Sequence, residues 1–178
     1  MNLGTCLKEL NVKREHLVIT TKLHKCDRGG TNDDFLSRKH IIEGMNASLK
    51  RLQLDYVDIV FCHRPDYDTP LEETCRAMSW LIDKGKAHYW GTSEWPVDRL
   101  QKAIDICDKL GLNKPVVEQP EYNMLRRDRF EKEYRRMFSE NGLGSTVWSP
   151  LGGGILAGKY NEGKMAEGGR YERVPILA

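Results

Sequence analysis

Residues 56–93 read YVDIVFCHRPDYDTPLEETCRAMSWLIDKGKAHYWGTS. The run 56–62 is apolar and β-branched apart from Asp58, which predicts a short strand buried on both faces. Thr69-Pro70-Leu71-Glu72 then has the spacing of a capping box with proline at the first helical position. Leu71, Cys75, Met78 and Ile82 recur on one helical face, and Gly85 is placed to end the helix. A second strand follows at 87–93, AHYWGTS. Strand, helix and strand in this order form a βαβ unit, which requires the two strands to be parallel.

Working outward, the same alternation continues. Further strands are predicted at 17–22, 116–119 and 145–149. Helices are predicted over Arg38–Leu52, with Ser37 as cap, over Val97–Leu110, ended by Gly111, over 129–141, ended by Gly142, and over 3–10. Units recurring at roughly 30 residues fit an open doubly wound sheet or a closed (β/α)8 barrel. No G-x-G-x-x-G follows any strand, and Lys22, His63, Ser93, Gln119 and Ser149 all fall at C-terminal strand ends. Barrel enzymes place their sites there, so a barrel is favoured. Five strands fall short of a barrel of typically ~250 residues. The expectation is therefore one incomplete domain over residues 1–178, α/β in class, a partial (β/α)8 barrel.

Composition narrows the functional classes. With 30% charged residues and a net charge of +2, acids and bases are interspersed, and the basic run around Arg126, Arg127 and Arg129 reads as a solvated face, not a nucleic-acid surface. No stretch approaches the ~18 apolar residues of a membrane span. The opening residues lack a basic-then-apolar leader, so a cytoplasmic protein is expected. Five cysteines, odd in number and without a C-x-x-C pair, read as reduced thiols. His24 and Cys26 alone are too few to hold zinc, and no metal site is expected.

Five segments carry a resemblance: VITTK (18–22), FCHRPDYDTPLEET (61–74), RAMSWLIDKGKAHYWGTSEW (76–95), VEQPEYNM (117–124) and WSPLGGGILAGKY (148–160). In order and spacing they are similar to the aldo-keto reductase superfamily, and within it to the branch of voltage-gated potassium channel beta subunits and their plant and microbial relatives. The resemblance implies a (β/α)8 barrel that binds NADP(H) in an extended pose and passes hydride to an aldehyde or ketone. It implies that Lys22 is the catalytic lysine and that His63 orients the carbonyl and assists proton transfer. A histidine at this place leans toward the reductase-like members, since animal beta subunits tend to carry asparagine. Ser93 and Gln119 would hydrogen-bond the nicotinamide carboxamide, and Trp148 would stack on the ring. Ser149, Pro150, Leu151, Gly152 and Gly153 would wrap the diphosphate, with Lys159 also contacting it and Arg170 reaching the 2′-phosphate. Glu94 stands where animal members have arginine and is not a candidate.

By the same resemblance, the general-acid tyrosine and its aspartate partner lie before the VITTK segment, and Tyr56, Tyr89 and Tyr122 do not occupy that register. The first two strands and the last strand are expected to be missing, as in a partial gene product with impaired turnover and poor solubility. Three functions follow: an NADPH-dependent reductase acting on a small carbonyl substrate, a cofactor-sensing partner of a potassium channel alpha subunit, or an inactive fragment. A homo-tetramer is expected by resemblance.

Overall fold

The computed structural model describes residues 3–24, 30, 34–161 and 167–173. Its elements run α1 (Leu3–Glu9), β1 (Thr20–Leu23), α2 (Arg38–Leu52), β2 (Val57–Cys62), α3 (Leu71–Asp83), β3 (Ala87–Thr92), α4 (Val97–Leu110), β4 (Val117–Glu118), α5 (Arg135–Asn141), β5 (Gly144–Ser145) and a final turn of helix, α6 (Arg170–Arg173). The strands form one sheet in the order β1-β2-β3-β4-β5, and every pairing is parallel. A doubly wound sheet reverses its strand order at a switch point, whereas this order never reverses. Sequential parallel strands alternating with helices are a partial (β/α)8 barrel.

Strand register sorts the side chains into two sets. Leu23, Cys62, Thr92 and Glu118 pair across the sheet, and Leu23 and Cys62 join the core beneath the helices. That core holds Ile41 and Met45 of α2, Met78 and Leu81 of α3, and Leu100 and Ile104 of α4. The preceding row, Lys22, Phe61, Gly91 and Val117, points the other way, because strand side chains alternate. Phe61 and Val117 are buried but stand outside the helix-side core.

Helices α2 and α4 keep the ends expected from their patterns. The His40 N–H donates to the Ser37 hydroxyl at 3.2 Å, and Gly111 ends α4 at φ +62°. Replacing Ser37 with alanine is expected to cost about 1 kcal/mol, because a first-turn N–H loses its acceptor. A urea titration reads this as a lower midpoint with an unchanged slope.

Other boundaries differ, for local reasons. β1 starts at Thr20, not Leu17, because the Arg14 guanidinium takes the Leu17 carbonyl (2.7 Å) and the Ile19 N–H donates to the Asp58 carboxylate (2.7 Å). Thr69 does not cap α3: its N–H donates to Asp66 Oδ1 (3.2 Å), its hydroxyl also bonds Asp66, and Pro70 sits at the cap without a side-chain bond. The helix expected over 129–141 is broken into a wide π turn, Arg129–Glu133, and α5. The strand expected at 145–149 shortens to Gly144–Ser145, with one further bridge between Trp148 and Glu121.

Candidate functional site

One residue past the strand ends, the ladder continues as a line of backbone bonds. The His63 N–H donates to Leu23 O (3.0 Å), Ser93 to Cys62 O (3.0 Å), Gln119 to Thr92 O (2.8 Å) and Thr146 to Glu118 O (3.2 Å). His63, Ser93, Gln119 and Thr146 are thereby level with one another. Period-two alternation puts them on the face of the Lys22–Phe61–Gly91–Val117 row, two residues further toward the C-terminal rim. Side chains link the line: the Ser93 hydroxyl donates to Gln119 O (2.8 Å), and the Gln119 amide donates to Thr146 Oγ1 (2.8 Å).

Arg64 closes the gap between His63 and Ser93. One of its nitrogens donates to the His63 carbonyl (2.8 Å) and to the Ser93 hydroxyl (3.3 Å). Its charge has a further effect. Partial burial, then repulsion from Arg64, holds the Lys22 ammonium below the ordinary lysine range. Partial burial lowers His63 too, reinforced by Arg64, Lys22 and His24. His63 is therefore biased toward the neutral imidazole near pH 7, and Lys22 toward easier proton loss.

Trp148 lies further along the same rim. Its N–H donates to Pro120 O (3.2 Å), and its carbonyl accepts from Tyr122 N (3.4 Å), so β4 and β5 are extended together as far as this tryptophan. Trp148 lines a cleft of about 540 Å³ with Ser149, Gly152, Gly153, Arg170, Glu121, Asn123 and Arg126 among its walls. Ser149 (φ +52°), Gly152 (+55°), Gly153 (+69°) and Gly154 (+107°) all adopt left-handed backbone. Consecutive conformations of this kind favour glycine strongly, and they leave backbone exposed to whatever fills the cleft. Asn123 braces this loop by donating to Ser149 O (3.0 Å), while its Oδ1 accepts from Leu125 and Arg126 N–H groups.

The candidates therefore divide into groups. Lys22, His63, Ser93 and Gln119 gather on the sheet-end rows. Trp148, Ser149, Gly152, Gly153 and Arg170 gather in the cleft beside them. Leu151 and Lys159 are exposed, and Pro150 borders a neighbouring hollow with Tyr122 and Met124. Cys26 falls outside the described residues. Among the described residues no group of three or more His, Cys, Asp or Glu could hold a metal, and no helix is long and apolar enough to cross a membrane.

Three residues outside the candidate set prove to be connected to the site: Arg64 and Asn123, which the sequence did not single out, and Glu94, which was set aside because animal members carry arginine there. Glu94 takes φ +58°, and one of its carboxylate oxygens accepts from the Trp148 indole N–H (2.9 Å) and the Glu121 backbone N–H (2.5 Å). Its other oxygen pairs with Arg129. Its place beside Ser93 and its departure from the arginine of animal members were the signals in the sequence, and neither names its partners. The fold brings the partners together over separations of 27, 35 and 54 residues.

Comparison with known proteins bears on this geometry. The sequence matches the Aldo/keto reductase family over residues 1–174. It is 50% identical over 169 residues to a protein of Arabidopsis thaliana named "Probable voltage-gated potassium channel subunit beta", covering 95% of this chain and 51% of that protein. A protein of Oryza sativa subsp. japonica with the same name is 49% identical over 169 residues, covering 95% of this chain and 51% of its own length. The chain thus spans about half the length of these curated relatives.

Proposed function

The chain belongs to the aldo/keto reductase family, and from that premise we propose that it carries part of the site of an oxidoreductase that uses NADPH to reduce an aldehyde or ketone. The observation that carries this reading is the meeting of two features on one rim. A line of polar side chains (His63, Ser93, Gln119) closes the sheet, and a tryptophan-walled, glycine-floored cleft adjoins it.

The residues fit the cofactor. A cleft of about 540 Å³ is within the usual range for small-molecule sites. Gly152 and Gly153 line the cleft in left-handed backbone, so no side chain there would keep a phosphate oxygen from the loop, while the Gly152 and Gly154 N–H groups brace the loop itself by donating to Ser149 O (2.9 Å) and Leu151 O (3.0 Å). Arg170 stands in the same cleft, where a guanidinium can grip a phosphate through two bonds. The flat Trp148 ring is suited to lie against a nicotinamide. Ser93 and Gln119 would hold the carboxamide, and Ser93 would then exchange its Arg64 bond for one to the ligand. When bound, NADPH supplies hydride to the carbonyl carbon. His63, biased toward the neutral form near pH 7, would direct a ring N–H at the carbonyl oxygen, and Lys22 would lower the cost of moving a proton to that oxygen.

Titrating the chain with NADPH while following nicotinamide emission tests this. A saturable change is expected, weakened about tenfold by Trp148→Ala, equivalent to about 1.4 kcal/mol of lost stacking. Oxidation of NADPH by 4-nitrobenzaldehyde is expected to fall further in Lys22→Met. No saturable binding, or binding indifferent to Trp148, would remove the assignment.

A second reading follows from the names of the relatives, each a probable voltage-gated potassium channel subunit beta: a potassium channel partner that binds the cofactor without turning it over. It predicts saturable NADPH binding with no oxidation of the cofactor when the aldehyde is added.

A further inference from the structure

We propose that Glu94 is a positioning residue, which locks the Trp148 indole in place as the wall of the cleft. The proposal rests on the cofactor reading above for its functional consequence, though not for its geometry.

Two independent sets of bonds hold Trp148. Its backbone is tied to the β4 side through Pro120 O and Tyr122 N, at 3.2 and 3.4 Å. Its ring is tied through the indole N–H to Glu94 Oε1 at 2.9 Å. The first set fixes where the residue sits. Among the described contacts only the second restrains the ring's rotation through a hydrogen bond, since an indole has a single donor and no acceptor.

Glu94 is itself held firmly. Its backbone adopts φ +58°, a left-handed conformation in which a glutamate is strained. Its carboxylate is engaged at both oxygens: Oε1 also accepts the Glu121 backbone N–H at 2.5 Å, and Oε2 pairs with Arg129. The side chain is 17% exposed, so little water competes for these bonds. Three segments are gathered on one carboxylate: the loop after β4, the π turn before α5, and the residue that walls the cleft. Losing the carboxylate would therefore free the ring and leave the Trp148 backbone in place.

The test has two arms. The Trp148 indole N–H resonance is assigned by its disappearance in Trp148→Phe and followed in nitrogen-15 spectra without ligand. In Glu94→Ala it should shift and exchange with solvent faster than in the native chain. In Glu94→Gln, whose amide oxygen still accepts, it should stay protected. Arg129→Ala should leave it in place, because that substitution removes a partner of Glu94 and not the acceptor of the indole. In the second arm, the NADPH dissociation constant should rise about tenfold in Glu94→Ala and recover in Glu94→Gln.

An indole resonance unmoved in Glu94→Ala would overturn the proposal, as would an unchanged dissociation constant alongside a freed indole. Should Glu94→Ala not fold, the native protein still decides the geometric claim: its Trp148 indole N–H must exchange more slowly than that of free tryptophan. If the native chain binds no NADPH, the cofactor reading fails, and the ligand-free arm alone determines whether Glu94 holds the ring.

Discussion

Gly91→Ala is expected to destabilise the protein by about 3 kcal/mol, and Gly91→Val to leave little folded chain. Gly91 has no left-handed backbone to excuse it; its constraint is space. A Cβ there would sit 2.4 Å from both Cγ1 and the carbonyl oxygen of Val117, and 3.1 Å from Phe61 Cε1. Carbon atoms rest at about 3.5–4.0 Å, so β3 and β4 would have to part. The carbonyl cannot retreat as a side chain can, and shortening the neighbour with Val117→Ala should therefore recover only part of the loss. Gly111 is the opposite case. Nothing lies within 4 Å of its would-be Cβ, but φ is +62°, and alanine there should cost about 1 kcal/mol from backbone strain alone. Urea titrations of these variants rank the two mechanisms. A Gly91→Ala loss no larger than that of Gly111→Ala would refute the close approach. The site feels the same change: Ser93 and Gln119 lie two residues beyond Gly91 and Val117 on the same face, so parting the strands should weaken NADPH binding before the fold is lost.

What could be read in the sequence follows from how local its causes are. α2 and α4 were legible to their last residues, because Ser37 and Gly111 act within one turn of the helices they bound. β4 and β5 were not, since a strand ends where its neighbour stops offering bonds, and that is a property of the register between Glu118 and Ser145. Thr69 shows a local signal outcompeted: its spacing to Glu72 is right for a cap, but the Asp66 carboxylate collects Thr69, Asp68 and Leu36 N–H groups and takes it away. The candidate site divides along the same line. Residues at strand tips were placed on one rim because the strands were legible, whereas Gly152 and Gly153 were candidates through the resemblance alone, and the structure finds them lining the cleft in left-handed backbone. Glu94 was set aside because its meaning depends on Trp148, 54 residues away, and on a positive φ that glutamate seldom adopts.

Stability should also fall as pH rises from about 4.5 to about 7, through one buried carboxyl. Glu118 is fully buried under the β3 and β4 ends, where its oxygens accept from the Thr92 hydroxyl, the Trp95 N–H (3.4 Å) and the Tyr134 hydroxyl (3.4 Å). Burial dominates and pushes the acid up to about 7 from its ordinary 4.5, against the downward pull of the bonds from Thr92 and the Glu94 and Trp95 N–H groups. Because the folded value lies above the unfolded one, the native chain holds a proton that the unfolded chain has released throughout this window. Below it both states are protonated and the group contributes nothing. Across it stability is lost, and above it the full penalty of about 3 kcal/mol remains. Asp58 and Asp66 act in the opposite sense and at lower pH: despite partial burial, the Ile19 N–H with Arg14 at Asp58, and Thr69 with backbone N–H groups at Asp66, hold them below the usual carboxylate range, so their contribution is lost only as pH falls below about 3.8. His24 and His63, held below the ordinary imidazole range mainly by burial, lose stability as pH falls inside the window, so wild type alone would mix opposing trends. Glu118→Gln separates them: it cannot ionise, and the other groups are common to both proteins. The difference between the two unfolding free energies should move by about 3 kcal/mol against wild type between pH 4.5 and 7.5 and then level off. Parallel curves across that range would mean that Glu118 ionises as easily inside the fold as outside it, which its enclosure by Thr92, Trp95 and Tyr134 does not allow.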